Sequence, residues 1–166
     1  MPNWYEDDLQ ISGPDVKKVM AKIGNPAGDD DQKVIDFNVA IPYPKKFIAL
    51  DKKAEKHNKN KRPDEPYMKD GYNSGGYEWC IDNWGTKWNA VNVTDVEIDD
   101  EQATFTFDTA WSPPLPVIQA FSKMFPEHEF NIEYYEAGIG FCGQARYVAG
   151  EEIYDNCQDY RGNRGG

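Results

Sequence analysis

The stretch WYEDDLQISGPDVKKVMAKIG, residues 4–24, decides the fold, because a strand pattern is followed at once by a helix pattern. Leu9 and Ile11 alternate with polar residues, which is typical of a half-buried strand, and we predict that strand over residues 4–12. Pro14 then begins a helix, since a proline in the first turn lacks only an N–H that the helix leaves unpaired. The helix has one apolar stripe at helical spacing: Val16, Val19, Met20 and Ile23.

The second half of the chain repeats this strand–helix–strand order. Residues 90–98 and 103–109 alternate as the two strands of a hairpin, and a change of phase near Thr94 and Asp95 predicts a β-bulge. A helix is predicted after Ser112 as its N-cap, and two further strands are predicted over residues 130–134 and 141–148.

The middle of the chain has weaker patterns. Residues 33–40 read as a strand that the following prolines end, and residues 77–84 read as a helix capped by Gly85. Between them, residues 45–76 form a lysine-rich insertion, predicted as a short helix near residues 47–56 and then a mobile loop.

Taken together, these elements predict an α+β ferredoxin-like sandwich. It consists of an antiparallel sheet with two main helices on one face, plus the lysine-rich insertion. We expect one domain over residues 1–150, and a polar, flexible tail over residues 151–166.

Charge is unevenly distributed along the 166 residues, whose formal net charge is −11. Residues 45–69 hold nine basic and four acidic side chains, so the remainder carries −16. Such a surface repels phosphate backbones and attracts basic partners, including the nucleic-acid channel of another protein, although acidic surfaces also simply keep proteins soluble. Three cysteines without metal-ligand spacing, an acidic N-terminus and the lack of an apolar run predict a cytoplasmic protein with no membrane partner.

Four segments taken together resemble the YubB-like proteins of phages and conjugative plasmids. They are PNW with the later ISGP (residues 2–4 and 11–14), DFNVAIPYP (36–44), WCIDNWGTKWNAV (79–91) and FDTAWSPPLPVIQAFSKMFPEHEFNIEYYEAGIGFCG (107–143). The resemblance implies a ferredoxin-like domain and a setting in mobile elements of bacteria, and it brings no established activity. Tyr5 stands where a cysteine is frequent in that family, which argues against a metal site.

Two groups of residues are candidates for binding. Trp84, Lys87, Trp88 and Trp111 offer rings with a cation between them, which suits base stacking or a protein anchor, but Trp84 and Trp88 four residues apart could equally close one side of the core. The second group is basic and lies in the insertion: Lys52, Lys53, Lys56, Lys59, Lys61 and Arg62. Basic segments bind nucleic acid or acidic proteins, and solvated lysine loops are also common.

Nothing in the sequence points to catalysis. Asp82, Asp108 and Glu136 are conceivable acid–base groups, but they have no diagnostic spacing. We therefore predict no catalytic residues, no metal and no cofactor.

The leading hypothesis is a non-enzymatic, phage- or plasmid-encoded acidic protein that binds a basic surface of a host protein. In one version it mimics nucleic acid and inhibits a defence or nucleic-acid-processing protein of the bacterium. The alternative is a nucleic-acid-binding module that uses a sheet face for stacking and the basic loop for phosphate. An unrecognised enzyme is the third hypothesis.

Overall fold

A computed structural model describes residues 3–159 of the chain. Over this range six strands form one antiparallel sheet: β1 (Trp4–Ser12), β2 (Val91–Ile98), β3 (Gln102–Ala110), β4 (Glu129–Glu136), β5 (Phe141–Val148) and β6 (Glu151–Asp159). The α-helices in the same range are α1 (Val16–Ile23), α2 (Asp30–Val34), α3 (Phe37–Ala40), α4 (Lys45–Asn60), α5 (Gly76–Trp84) and α6 (Leu115–Met124). A 3₁₀ turn, Tyr72–Ser74, lies between α4 and α5.

The sheet has the strand order β2-β3-β1-β4-β5-β6. Its first four strands, with α1 and α6, make the β-α-β-β-α-β unit of a ferredoxin-like domain, so the predicted fold class is confirmed at that level. The strands β5 and β6 extend the sheet on one side, and α2 to α5 lie in the chain between α1 and β2.

The register of the strands places the core on one face of the sheet. Leu9 lies opposite Phe105 on β3 and Ile132 on β4, and Ile11 lies opposite Ala103 and Phe130, which explains why the odd-numbered residues of β1 are buried. These side chains form a single core with helix residues that include Val16, Val19 and Ile23 of α1, Phe37 of α3, Trp84 of α5, and Ile118 and Phe121 of α6. The apolar stripe predicted for α1 is therefore confirmed.

The strand predicted over residues 33–40 is wrong, because two aspartates cap helices there. Asp29 accepts a hydrogen bond from the Gln32 N–H at the start of α2, and Asp36 accepts one from the Asn38 N–H at the start of α3. An aspartate at the N-cap satisfies a backbone donor that a short helix would otherwise leave unpaired. Ile35 and Phe37 still reach the core, but from the ends of these helices.

The lysine-rich insertion is more ordered than predicted. Its helix, α4, has 16 residues rather than the ten expected, and the chain that follows is held against it. Asn58 exchanges two hydrogen bonds with the backbone of Met68, and Asp51 accepts hydrogen bonds from the N–H groups of Gly71 and Tyr72. These contacts fix the return path of the loop.

Two boundaries in the second half also need correction. The helix α6 begins at Leu115 with Pro114 as its cap, and the Ser112 hydroxyl donates to the Gly85 carbonyl instead of capping α6. Residues 151–159 of the predicted flexible tail form β6, which pairs along β5. The side chains of β6 are all exposed, so the apolar alternation that reveals a strand is missing from this edge. The rest of the predicted tail, residues 160–166, lies outside the described residues.

Candidate functional site

The sheet face opposite the core, here called the open face, is formed by three rows of side chains that run across the strands. The rows follow Glu6, Asp8 and Gln10 of β1. The first row is Val91, Asp108, Glu6, Tyr135, Cys142 and Gln158; the second is Thr94, Thr106, Asp8, Glu133, Gln144 and Asn156; the third is Glu97, Thr104, Gln10, Asn131, Arg146 and Tyr154. Five members are acidic and one is basic, so the open face has a strongly negative potential.

Neighbouring side chains hold the carboxylates of the open face in place. The Thr106 hydroxyl donates to Asp8 at 2.7 Å, and the Tyr135 hydroxyl donates to Glu133 at 2.7 Å. The basic member, Arg146, forms an ion pair with Glu129 at 3.3 Å, so its charge is already compensated. The negative charges therefore stand in fixed positions while the positive one is neutralised locally.

The edge strand β2 borders the open face and forms one side of a cleft. Its pairing with β3 shifts register on both sides of Thr94, and Asn92 and Asp95 have left-handed backbone with φ of 54° and 52°. The bulge predicted near Thr94 and Asp95 is thus confirmed. Together with β1, β3, β4 and β5, the bulged strand encloses a cleft of about 410 Å³, whose acidic lining residues are Asp8, Asp95, Glu97 and Glu133.

A second candidate site, here called the aromatic patch, lies at the end of the sheet where β1 begins and β3 ends. The Lys87 ammonium lies between two indoles, 4.3 Å from the ring centroid of Trp88 and 4.5 Å from that of Trp111. Trp88 contacts Trp4 with ring centroids 5.8 Å apart, and Trp111 contacts Tyr77 at the same distance. Trp4 is 38% exposed and Trp111 is 45% exposed, so these rings face solvent.

The structure divides the predicted tryptophan–lysine group. Lys87, Trp88 and Trp111 are brought together, whereas Trp84 belongs to the core, where it is 5% exposed and its indole N–H donates to the Ile41 carbonyl at 2.8 Å. The structural interpretation of Trp84 is therefore correct. Trp4 was missed as a member of the patch, because 84 residues of chain separate it from Trp88 and only strand pairing brings the two together.

The basic residues of the insertion lie mainly on α4. The inward side of this helix is marked by Phe47 and Ala54, which are buried, while Lys52, Lys53, Lys56 and Lys59 are exposed. Lys61 is half-buried, its ammonium donates to the carbonyls of Arg62 and Glu65, and Arg62 forms an exposed ion pair with Glu65. Lys52, Lys53, Lys56 and Lys59 thus face solvent, together with Lys45 and Lys46 at the start of the same helix.

One tyrosine joins α4 to the aromatic patch. The Tyr72 N–H donates to Asp51 of α4 at 3.2 Å, and its hydroxyl donates to the Lys87 carbonyl at 3.4 Å. Burial raises the pKa of Tyr72 to about 12, and a hydrogen bond with the Trp88 side chain opposes this rise. Tyr72 therefore stays neutral, and its two hydrogen bonds link the basic helix to the patch.

The three conceivable acid–base groups do not converge. Asp82 is exposed on α5, and Asp108 lies on the open face, where it accepts a hydrogen bond from the Asn92 amide. Glu136 is buried on the core side and accepts hydrogen bonds from the N–H groups of Gly138 and Ile139 in the turn after β4. Within residues 3–159 no group of three or more histidine, cysteine or acidic side chains is placed to hold a metal ion.

A buried carboxyl lies on the core side of β1. Asp7 is fully buried, and its Oδ2 lies 2.5 Å from the Thr109 hydroxyl, which is also 3.0 Å from the Ser112 carbonyl. One hydroxyl proton cannot serve both acceptors, but a protonated Asp7 can donate to Thr109 while Thr109 donates to Ser112. Burial raises the pKa of Asp7 well above its ordinary value against the opposing effect of the Thr109 bond, and the negative charges of Asp108, Asp8 and Glu6 add to the rise.

Comparison with known proteins agrees with the ferredoxin-like topology of the sheet. Residues 83–163 match the family model described as the ferredoxin-like domain in Api92-like protein. The matched stretch starts at the end of α5 and extends past β6, so it includes residues of the predicted tail. The YubB-like resemblance and its phage or plasmid setting stay predictions, since the matched family is described as Api92-like.

A solved structure resembles the whole chain. The crystal structure of the protein api92 from Yersinia pseudotuberculosis aligns over 98% of this chain and 99% of its own, with a TM-score of 0.57 and 11% sequence identity. At this identity the likeness shows the fold alone. A search of curated proteins found no match. None of the helices within residues 3–159 has the length and apolar character needed to cross a membrane.

The sequence contains a signal for the open face in the phase of its strands. The even-numbered residues of β1 from Glu6 onward, those of β3 up to Asp108 and the odd-numbered residues of β4 are polar and rich in acids, as in Glu6, Asp8, Asp108 and Glu133. Because alternate residues of a strand point to opposite faces, these four carboxylates had to share one side of the sheet once the strand order was known.

Proposed function

We propose that the protein is a non-enzymatic binding protein whose open face docks onto a basic surface of a bacterial protein. The observation that carries this proposal is the composition of the three rows, with five acidic side chains and one arginine already paired with Glu129. An extended surface of one charge accelerates association with a partner of the opposite charge and disfavours partners of the same charge.

The arrangement of the carboxylates supports a partner that binds an extended polyanion. Glu6 and Asp8 are two positions apart on β1, which places them about 7 Å apart along the strand, and neighbouring strands repeat the row at about 4.8 Å. Hydrogen bonds from Thr106 and Tyr135 hold members of the array in place before any partner arrives, which lowers the entropy cost of binding. A regular, fixed array of negative charge is what a nucleic-acid-binding channel accepts, so mimicry of nucleic acid is the form of docking we propose.

The proposed setting follows from the sequence resemblance to proteins of mobile elements. We propose that the protein acts in the cytoplasm of a bacterium and occupies the nucleic-acid channel of a defence or nucleic-acid-processing protein of the host. The negative potential of the open face makes direct phosphate binding on the sheet unfavourable, which separates this proposal from base stacking on the sheet.

The test compares two variants with the same change in charge. The open-face variant carries Asp95→Asn, Glu97→Gln and Glu133→Gln, and the control variant carries Glu55→Gln, Glu78→Gln and Asp82→Asn on exposed helix positions. Each protein is immobilised, incubated with bacterial lysate at moderate salt and eluted with DNA, and the proteins released by DNA are quantified by mass spectrometry.

We expect DNA to release nucleic-acid-binding proteins from the wild-type protein and from the control variant, and at least tenfold less from the open-face variant. Equal recovery with both variants would contradict docking through the open face. Capture that DNA fails to compete would contradict mimicry of nucleic acid.

A further inference from the structure

The aromatic patch borders the open face, because Trp4 lies two residues before Glu6 on the same side of β1, and it has a different chemistry. The Lys87 ammonium lies between the rings of Trp88 and Trp111, and Trp4 packs against Trp88. Trp4 and Trp111 are each more than a third exposed. Exposed aromatic rings beside a cation bind planar, electron-rich groups that carry negative charge nearby.

The backbone holds the patch in an unusual conformation. Trp111 has φ of 76°, in the left-handed region that a bulky residue rarely adopts, and its N–H donates to the Asn3 carbonyl at 2.9 Å. The segment that leads into Trp88 is fixed as well, because the Thr86 hydroxyl and the Lys87 N–H both donate to the Ala110 carbonyl. The indole of Trp111 is thus presented to solvent by a rigid support.

The charge near the patch identifies the kind of ligand. Residues 45–62 contain eight basic and two acidic side chains, and Asp51, one of the two acids, is engaged by the N–H groups of Gly71 and Tyr72. The Tyr72 hydroxyl donates to the Lys87 carbonyl, so a single residue connects the basic helix to the patch. The rings and the basic charge together suit a polymer with flat groups and regularly spaced anions. Its flat groups would stack on the indoles of the patch, and its anions would contact Lys87 and α4.

We propose that the aromatic patch and the exposed lysines of α4 form a binding site for single-stranded nucleic acid. Unpaired bases stack on Trp88 and Trp111, and the phosphates on either side contact Lys87 and then α4. Paired bases have no free ring faces, so the site discriminates against duplexes. This site goes beyond the proposed docking of the open face and does not depend on it.

The test uses fluorescence anisotropy of a labelled single-stranded DNA of about 16 nucleotides, at salt from about 50 to 200 mM. We expect binding that weakens with salt, and Trp88→Ala to weaken it at least about fivefold. Trp88→Phe keeps a ring and should bind within about twofold of the wild type. Lys87→Gln should weaken binding and lower the salt slope by about one.

The matched control is Lys123→Gln, which removes the same charge from an exposed lysine of α6. That lysine lies near Gly150, at the opposite end of the sheet from Trp111, and its substitution should leave binding unchanged. The proposal is wrong if the wild type does not bind at about 50 mM salt, or if Trp88→Ala binds as well as Trp88→Phe. It is equally wrong if Lys123→Gln weakens binding as much as Lys87→Gln, or if a duplex or poly(glutamate) competes as well as the single strand. If Trp88→Ala does not fold, the proposal is tested by comparing the DNA affinity of Lys87→Gln with that of Lys123→Gln.

Discussion

The substitution Asp7→Asn should make the free energy of unfolding of the protein less sensitive to rising pH. In the native protein Asp7 is fully buried, and the hydrogen-bond geometry around Thr109 suits a proton on its carboxyl. The unfolded chain releases that proton near the ordinary value of 3.8, whereas burial raises the pKa in the folded protein. Asparagine has the same shape and donates to Thr109 through its amide, so it reproduces the protonated side chain at every pH.

The sign and size of the effect follow from proton linkage. Between pH 3.8 and the folded pKa of Asp7, the folded state holds a proton that the unfolded state has released, so raising the pH through this range favours unfolding. The contribution of Asp7 to the free energy of unfolding is fully present below pH 3.8. It falls by about 1.4 kcal/mol per pH unit until the pH passes the folded pKa, above which no more is lost.

The assay is urea unfolding of the wild type and Asp7→Asn at several pH values between about 5 and 8. The difference in free energy of unfolding should grow in favour of the variant as the pH rises, by about 1.4 kcal/mol per pH unit while the pH stays below the folded pKa of Asp7. Asp82→Asn makes the same chemical change on an exposed helix residue and serves as the control. A constant difference between Asp7→Asn and the wild type over this range would refute the assignment of a proton to Asp7.

Three further substitutions test the packing that supports the two sites. A methyl group at Gly143 would clash with the Tyr134 ring on the neighbouring strand, so Gly143→Ala should lower the free energy of urea unfolding by about 1–3 kcal/mol. Ala149 has φ of 52° in the two-residue turn between β5 and β6, where asparagine before glycine is preferred. Ala149→Asn should therefore raise the free energy of unfolding by about 0.5–1 kcal/mol, which is measured as a higher melting temperature. Asp36 is buried and accepts hydrogen bonds from the side-chain amides of Asn25, Asn38 and Asn89, so Asp36→Ala should cost about 2–4 kcal/mol in urea unfolding.

Strand and helix periodicity predicted most of the ferredoxin-like unit correctly. The limits of β1 and the buried side of α1 follow from the alternation of Leu9 and Ile11 and from the stripe of Val16, Val19, Met20 and Ile23. The helix begins at Val16 and not at Pro14 as predicted, because Asp15 has left-handed backbone. The bulge in β2 was also visible, since a change of phase in an alternating strand requires an extra residue.

The errors fall where local hydrogen bonds or an exposed edge decide the structure. Ile35, Phe37 and Val39 alternate like a strand, but the capping aspartates Asp29 and Asp36 favour two short helices instead. The strand β6 has no buried side, so its sequence contains no alternation to detect. In both places the apolar pattern is a poor guide, because burial does not set the backbone conformation.

The candidate sites depended on pairing between distant segments. Lys87, Trp88 and Trp111 could be grouped from the sequence, but Trp4 joins them only because Trp4 of β1 pairs with Ala110 of β3. The open face likewise needs the strand order, since Glu97, Asp8 and Glu133 come from three separate parts of the chain. Sequence periodicity gives the face on which a residue lies and cannot give its neighbours across the sheet.

Zero-length cross-linking of the protein to a partner captured from bacterial lysate tests the proposed docking most directly. A carbodiimide joins a carboxylate to a lysine amine in contact with it, so the cross-linked acids mark the docking surface. We expect cross-links at carboxylates of the open face such as Asp8, Glu97, Asp108 and Glu133. Cross-links confined to Glu55, Glu78 and Asp82 on the helices would contradict it.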